Sequence, residues 1–177
     1  MVIDRAKTVR GAVAGAVAAG VWAAQQPADK TIFGVPYDDT ELLGKLVTRR
    51  TGPARVIGTA MHLANGALFG AVYANVAPRL PLPSWARGPA AGLAENFGTW
   101  PLAALSDRFH PARDDLPKLA GNRAALAQAT WRPLLFGVVL GELERRLSDP
   151  AEDEVPAYEH VISSNGHGSI ENTVQAS

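Results

Sequence analysis

The sequence predicts an all-α, polytopic membrane protein with four transmembrane helices in an antiparallel bundle. Four apolar stretches have roughly membrane-spanning length, and the charged residues are concentrated between them. Each stretch also contains two glycines spaced four residues apart. Interior glycine costs about 1 kcal/mol relative to alanine in a soluble helix, whereas within a bilayer small residues let helix backbones approach closely. The predicted helix-packing residues are Gly11, Gly15, Gly66, Gly70, Gly88, Gly92, Gly137 and Gly141.

The overall composition resembles that of a soluble protein, so the membrane prediction depends on how the apolar residues are distributed. The hydrophobic fraction over 177 residues is 47%, and the formal net charge is +0. This charge balance argues against nucleic acid as a partner, and the absence of cysteine excludes disulfides and thiolate metal sites. The expected partners are the lipid bilayer and either a second copy of the chain, in a homo-oligomer, or another membrane protein.

The first predicted span, residues 9–26, is almost wholly glycine, alanine and valine and is expected to end at Pro27. Because basic residues precede it, a cleaved signal peptide is an alternative interpretation of this stretch. Residues 39–51 are predicted to form an amphipathic helix with Asp39 or Thr40 as its N-cap. This helix would lie on the bilayer surface or pack on the bundle.

The second and third spans are separated by a short proline-rich linker. Residues 56–76 form the second span, which stops at Pro78, and residues 85–105 form the third. The linker is short enough that the two spans are expected to form a tight antiparallel hairpin. Trp85 and Trp100 lie towards the two ends of the third span, where tryptophan is favoured at a membrane interface.

The fourth span, residues 124–143, ends at a cluster of charged residues. Residues 1–147 are therefore predicted to form the transmembrane domain. Residues 148–177 are acidic and polar without periodicity, which predicts a disordered tail. Lysine and arginine are distributed almost equally between the two sides of the bundle, so the positive-inside rule does not determine the orientation.

Polar side chains are predicted to meet inside the bundle. His62 and Asn65 share a face of the second span, while Glu95 and Asn96 lie at the midpoint of the third. Antiparallel registration places Asn65 and Asn96 at similar depth, and brings Arg132 of the fourth span within about one turn of Glu95. The sequence therefore predicts an intramembrane polar cluster of His62, Asn65, Glu95, Asn96 and Arg132.

Two interpretations of this cluster stay open. Interhelical hydrogen bonds and a buried ion pair can hold a bundle together without binding anything. Ionisable groups at mid-membrane, here Glu95 and His62, instead often mark a route for a proton or small solute. The sequence has no nucleophile elbow, phosphate loop, dinucleotide fingerprint or His-Glu-x-x-His motif. No catalytic residue, metal site or cofactor is therefore predicted, and the sequence favours a protein that is not an enzyme.

The last three spans contain a recognisable arrangement of polar and small residues. It comprises His62, Asn65-Gly66, residues 70–73, Pro78, residues 88–93 and the Glu-Leu-Glu-Arg-Arg ending at 142–146. In this layout residues 55–146 resemble the YagU-type bacterial inner-membrane proteins of unknown function and similar small four-span membrane proteins. The resemblance implies a multi-pass protein of the bacterial cytoplasmic membrane and supplies no activity.

These features predict a small integral membrane protein that self-associates or binds a partner through its glycine faces. Its polar centre would conduct or sense protons or a small solute. One alternative is a membrane-embedded enzyme or cofactor-binding protein that uses Glu95, His62 and Arg132 in a water-filled cavity. Another is a soluble helical protein with a core rich in glycine and alanine.

Overall fold

The computed structural model describes residues 4–148, and this part of the chain is helical without any β-strand. The all-α prediction is therefore confirmed. The chain divides into two units, Met1–Leu147 and Ser148–Ser177. The predicted disordered tail lies outside the described residues, apart from its first residue. The α-helices are α1 (Arg5–Phe33), α2 (Asp39–Gly44), α3 (Thr51–Val76), α4 (Ser84–Thr99), α5 (Ala103–Phe109) and α6 (Arg123–Leu147).

Two close helix pairs build the fold, α1 on α3 and α4 on α6, and a third contact between α1 and α6 joins them. Both pairs meet at glycines. A Cβ atom added to Gly15 would lie 2.0 Å from the carbonyl oxygen of Gly66, and one added to Gly88 would lie 2.1 Å from that of Gly137. The backbones are thus too close for any side chain at these positions.

Seven of the eight glycines of the sequence pattern make such contacts within one chain, whereas a Cβ atom added to Gly141 would lie at an ordinary contact distance of 3.4 Å from its nearest atoms. Gly92 packs on a proline instead of a glycine, since an added Cβ would meet the carbonyl oxygen of Pro133 at 2.2 Å. Because these faces are already covered inside the bundle, self-association would need a different surface. The predicted homo-oligomer or membrane-protein partner stays a prediction.

Although α3 and α4 are consecutive long helices, they do not pack along each other in the described part of the chain. The predicted tight hairpin of the second and third spans is therefore wrong. The glycine face of α3 is covered by α1, and that of α4 is covered by α6. A cleft is left between α3 and α4, with α1 and α6 behind it.

The first long helix does not end at Pro27, as the sequence suggested, but continues through it to Phe33. Proline removes one backbone donor, yet its fixed φ is close to the helical value. The turn after it is held by tertiary contacts, because Gln26 and Asp29 are both buried. The helix ends at Gly34, whose φ of 67° is the left-handed conformation that favours glycine.

The third predicted span is interrupted. The helix α4 ends at Thr99, and the 3-10 turn Trp100–Leu102, which contains Pro101, separates it from α5. Proline has no N–H to continue the helical hydrogen bonds. Residues 85–105 are therefore not one continuous α-helix.

The predicted amphipathic helix at 39–51 is shorter than expected and packs on the bundle. Its N-cap is Asp38 rather than Asp39 or Thr40, and it ends at Gly44. A Cβ atom added to Gly44 would lie 1.7 Å from the carbonyl oxygen of Ala54 in α3. The sequence left two placements open for this helix, on the bilayer surface or packed on the bundle. In the structure the helix packs on the bundle.

Several polar and charged side chains are buried, and many large hydrophobic side chains are exposed. The largest fully buried side chains are Arg132, Leu140, Gln128 and Asp29, whereas exposed hydrophobic side chains include a stripe of valines along α1. Two helical segments, Thr51–Arg79 and Arg123–Leu147, are long and apolar enough to cross a membrane. Their apolar windows are only 28% and 44% buried within the chain, which is less than the mostly buried core helix of a soluble protein would show.

Candidate functional site

A buried salt bridge between α6 and α1 forms the base of the candidate site. The guanidinium of Arg132 donates from Nε to Asp29 Oδ2 over 2.6 Å and from Nη2 to Asp29 Oδ1 over 2.8 Å. Both side chains are 0% exposed. This two-point arrangement matches the planar fork of arginine to the two oxygens of a carboxylate.

A second carboxylate, from the start of α2, binds the same guanidinium. Arg132 Nη1 donates to Asp39 Oδ2 over 2.5 Å, and Nη2 donates to the backbone carbonyl of Tyr37 over 2.8 Å. The guanidinium also lies 4.8 Å from the centre of the Tyr37 ring. Two carboxylates thus share one cation, which leaves one formal negative charge on the group.

Neutral donors complete the hydrogen bonding of both carboxylates. Asp29 accepts from Gln128 and from Gln25, each over 2.7 Å. Asp39 accepts from Trp22 Nε1 over 3.0 Å and from the Tyr37 hydroxyl. Burial, followed by the neighbouring Asp39 carboxylate, raises the pKa of Tyr37 well above its ordinary value of 10.0. The Tyr37 hydroxyl therefore stays protonated and remains a donor.

The cleft between α3 and α4 has a volume of about 390 Å³, and the Asp39 side chain reaches it from below. Its polar lining includes Tyr37, Asp39, His62, Asn65, Glu95 and Asn96. Its apolar lining combines four aromatic side chains, Trp22, Phe69, Trp100 and Phe136, with aliphatic ones. The cleft therefore presents carboxylate, imidazole and amide groups together with aromatic rings.

The structure brings His62, Asn65, Glu95 and Asn96, four of the five residues of the predicted polar cluster, to this cleft. The fifth, Arg132, lies behind it and does not line it. Arg132 and Glu95 were expected to lie within about one turn of each other, but they do not form an ion pair. The guanidinium is bound to other carboxylates, and no cation within residues 4–148 forms a salt bridge with Glu95. Asn96 instead donates to Thr130 over 3.3 Å and links α4 to α6.

His62 is the polar group of the cleft whose hydrogen bonding is incomplete. Its side chain is only 6% exposed, and its ring packs edge-to-face on Trp22 with the centroids 5.0 Å apart. Its Nε2 atom is fully buried and has no hydrogen-bond partner in the described part of the chain. Buried polar atoms in proteins nearly always have a partner, so an unpaired one requires an explanation.

Sequence reasoning missed four residues of the site, all of them outside the predicted polar cluster: Trp22, Asp29, Tyr37 and Asp39. Asp29 was overlooked because the first helix was expected to end at Pro27. A signal was available, since Gln25 and Asp29 have the i, i+4 spacing of residues that pair on one helix face. Nothing local indicated that Asp39 would reach Arg132.

Among the described residues, no group of three histidine, aspartate or glutamate side chains could hold a metal ion. Comparison of the chain with models of known families, with curated proteins and with solved structures finds no match. The resemblance to YagU-type proteins therefore stays a prediction, and the geometry of the cleft is the basis for assigning a function.

Proposed function

We propose that this chain is a multi-pass membrane protein of the bacterial cytoplasmic membrane that binds a small solute in the cleft between α3 and α4. The helices α1, α3, α4 and α6 would be its four spans. The observation that carries the proposal is a cleft with carboxylate, imidazole and amide groups inside a bundle that exposes many large hydrophobic side chains.

The distribution of side chains supports the membrane part of the proposal. In water, burial of apolar surface is the main drive for folding, yet Val9, Val13, Val17 and Val21 of α1 are 38% to 63% exposed. Inside a bilayer, charged groups are costly unless they face the bundle interior and are paired, as Arg132 is. Close backbone contact at glycines is the packing that lipid-embedded helices favour.

Three of the four helices, α1, α3 and α6, are long enough to cross a bilayer, and α4 is shorter. The 26 residues of α3 and the 25 of α6 correspond to almost 40 Å at 1.5 Å per residue, which exceeds a hydrocarbon core of about 30 Å. The 16 residues of α4 are shorter than the core, and a bilayer accommodates a short span by thinning locally.

The cleft supports solute binding in addition to a purely structural role. The Arg132 group, with its hydrogen bonds to α1 and the start of α2, already links the helices. His62, Asn65 and Glu95 face the cleft and form none of those links. The volume of about 390 Å³ lies in the range of small-molecule sites, which is roughly 300–1,000 Å³. A membrane-embedded enzyme would use the same cavity.

The absence of cysteine from the sequence makes the proposal directly testable. Asn65 lines the cleft, whereas Leu68, less than one turn away on α3, is 65% exposed and would face lipid. Single-cysteine variants Asn65→Cys and Leu68→Cys, reconstituted in liposomes, should differ in reaction with a water-soluble thiol reagent. We expect labelling of Asn65→Cys and protection of Leu68→Cys, with both variants resistant to carbonate extraction. Release by carbonate, or equal protection of both cysteines, would refute the proposal.

A further inference from the structure

We propose that the ligand of the cleft is a primary ammonium group carried on an aromatic or other apolar body. This inference rests on the proposed solute-binding function and specifies the chemistry of the solute. Three independent features of the cleft lead to it: its charge, its unpaired imidazole nitrogen and its aromatic side chains.

The charge of the cleft selects a cation. Asp39 and Glu95 line it, and within the described residues no lysine or arginine side chain does. Arg132, the cation behind Asp39, is shared with Asp29, so two carboxylates are balanced by one guanidinium. Glu95 adds a further carboxyl group that has no salt-bridge partner in residues 4–148. The charged side chains of the cleft that an anionic ligand would meet are carboxylates, whereas a cation would supply the missing charge.

The unpaired nitrogen selects a ligand that can donate a hydrogen bond. A neutral imidazole can accept through Nε2, and His62, which lines the cleft, has a buried Nε2 atom without a partner in the described part of the chain. A primary ammonium has three N–H donors and could satisfy this acceptor and a carboxylate together. A quaternary ammonium has the same charge and no donor, so it would leave the nitrogen unsatisfied.

The aromatic side chains suit both parts of such a ligand. Trp22 packs edge-to-face on His62 and on Phe136, at centroid separations of 5.0 and 6.0 Å, and Phe69 packs on Phe136 at 5.4 Å. Ring faces attract cations, while the rings also offer apolar surface to the body of the ligand. The combination of carboxylates with several rings is typical of organic-cation recognition.

This chemistry has two natural sources. The ammonium could belong to a free amine, or to the headgroup of a phospholipid such as phosphatidylethanolamine that enters between α3 and α4. The two sources share the ammonium and differ in the phosphate, for which the described cleft provides no lysine or arginine.

Three probes that each carry a phenyl ring separate charge from hydrogen bonding. The full-length protein in phosphatidylcholine nanodiscs is titrated with benzylammonium, benzyltrimethylammonium and benzoate, and binding is followed by calorimetry. We expect benzylammonium to bind most tightly, benzyltrimethylammonium about tenfold or more weakly because of the missing donor, and benzoate not to bind. Repeating the titration with phosphatidylethanolamine in the nanodiscs identifies the source. Competition would indicate the headgroup, whereas an unchanged affinity would indicate a free amine, and both results agree with the proposal.

Two variants assign the roles of individual residues. Glu95→Gln should weaken benzylammonium binding by about tenfold or more, while the matched control Glu142→Gln should not. Glu142 is on α6, outside the cleft, and pairs with Arg145 and Arg146. His62→Phe should abolish the preference for the primary over the quaternary ammonium while it retains binding of the quaternary ion.

The outcomes that overturn this inference differ from those that overturn the proposed function. Benzoate binding as tightly as benzylammonium, or an unchanged preference in His62→Phe, would refute the ammonium assignment. The solute-binding cleft would still stand if Asn65→Cys were labelled. Failure of all three probes, together with protection of Asn65→Cys, would refute both proposals.

Discussion

The carboxylate of Asp29 offers the most quantitative test of the buried group. Asp29→Asn keeps the size of the side chain, removes its charge and replaces one acceptor oxygen with a donor. In the folded protein this side chain is 0% exposed, and its carboxylate accepts from Arg132 over 2.6 and 2.8 Å, from Gln128 over 2.7 Å and from Gln25 over 2.7 Å. The amide of asparagine cannot accept all four of these hydrogen bonds.

Loss of one partner from a buried ion pair costs about 3–5 kcal/mol, because the remaining charge is left uncompensated. Asp39 continues to pair with Arg132 in the variant, so the expected loss is at the lower end, about 3 kcal/mol. That value corresponds to roughly a hundredfold change in the unfolding equilibrium constant. Arg132→Met should cost more, since it leaves both Asp29 and Asp39 without their cation.

The measurement is reversible unfolding in mixed micelles with increasing dodecyl sulfate, followed by circular dichroism of the helices. The control is Arg145→Ala, which removes an exposed pair with Glu142 whose side chains are 58% and 40% exposed. Its expected cost is below about 1 kcal/mol. If Asp29→Asn unfolds within about 0.5 kcal/mol of the wild type, as a surface substitution would, the assignment of the buried pair is refuted.

Two further predictions use the same unfolding assay. Gly15→Ala should destabilise the fold by about 1–3 kcal/mol through overpacking, because its Cβ would lie 2.0 Å from the Gly66 carbonyl oxygen. In Gly20→Ala, in the same helix, the new Cβ would lie 3.8 Å from its nearest atom. This substitution should increase the free energy of unfolding by at most about 1 kcal/mol. Burial alone would raise the pKa of Asp38, but hydrogen bonds from Lys30 and other donors lower it from 3.8 to about 2. Asp38 therefore contributes about 2 kcal/mol to the free energy of unfolding. This contribution is present above the unfolded pKa of Asp38 and is lost as the pH falls through about 2.

Each of these predictions has a clear opposing result. Equal stability of Gly15→Ala and Gly20→Ala would contradict the backbone contact between α1 and α3. For the Asp38 prediction, the pH dependence of stability is compared between the wild type and Asp38→Asn. The free energy of unfolding of Asp38→Asn should fall less between about pH 5 and about pH 2 than that of the wild type. Parallel pH profiles would show that the Asp38 carboxylate is not stabilised in the folded state.

Local pattern predicted much of the helical framework and the polar lining of the cleft. His62 and Asn65 lie about one turn apart on one helix, and Glu95 and Asn96 are adjacent on another, so their placement follows from helical periodicity. That these residues line one cleft was not predictable in the same way. The expected hairpin would have brought Asn65 and Asn96 into a closed interface, whereas the structure leaves a cavity between their helices.

Helix boundaries at prolines were the main local error. Pro27 is inside α1, while Pro101 lies in the turn that separates α4 from α5. One helix thus runs through its proline, whereas another ends next to one. Proline weakens a helix locally by removing one hydrogen bond, and the contacts made by the next turn decide whether the helix survives. For α1 those contacts are the buried hydrogen bonds of Asp29.

The sequence alone was sufficient for properties that depend on neighbours a few residues apart: helix formation, glycine spacing and the shared face of polar groups. The partner of Arg132 was decided only in three dimensions. Asp29 is 103 residues away along the chain, and Glu95 was the nearer candidate by simple registration of neighbouring helices. Because the glycine faces pair α1 with α3 and α4 with α6, helices adjacent in sequence separate, and the cleft forms where sequence order predicted contact.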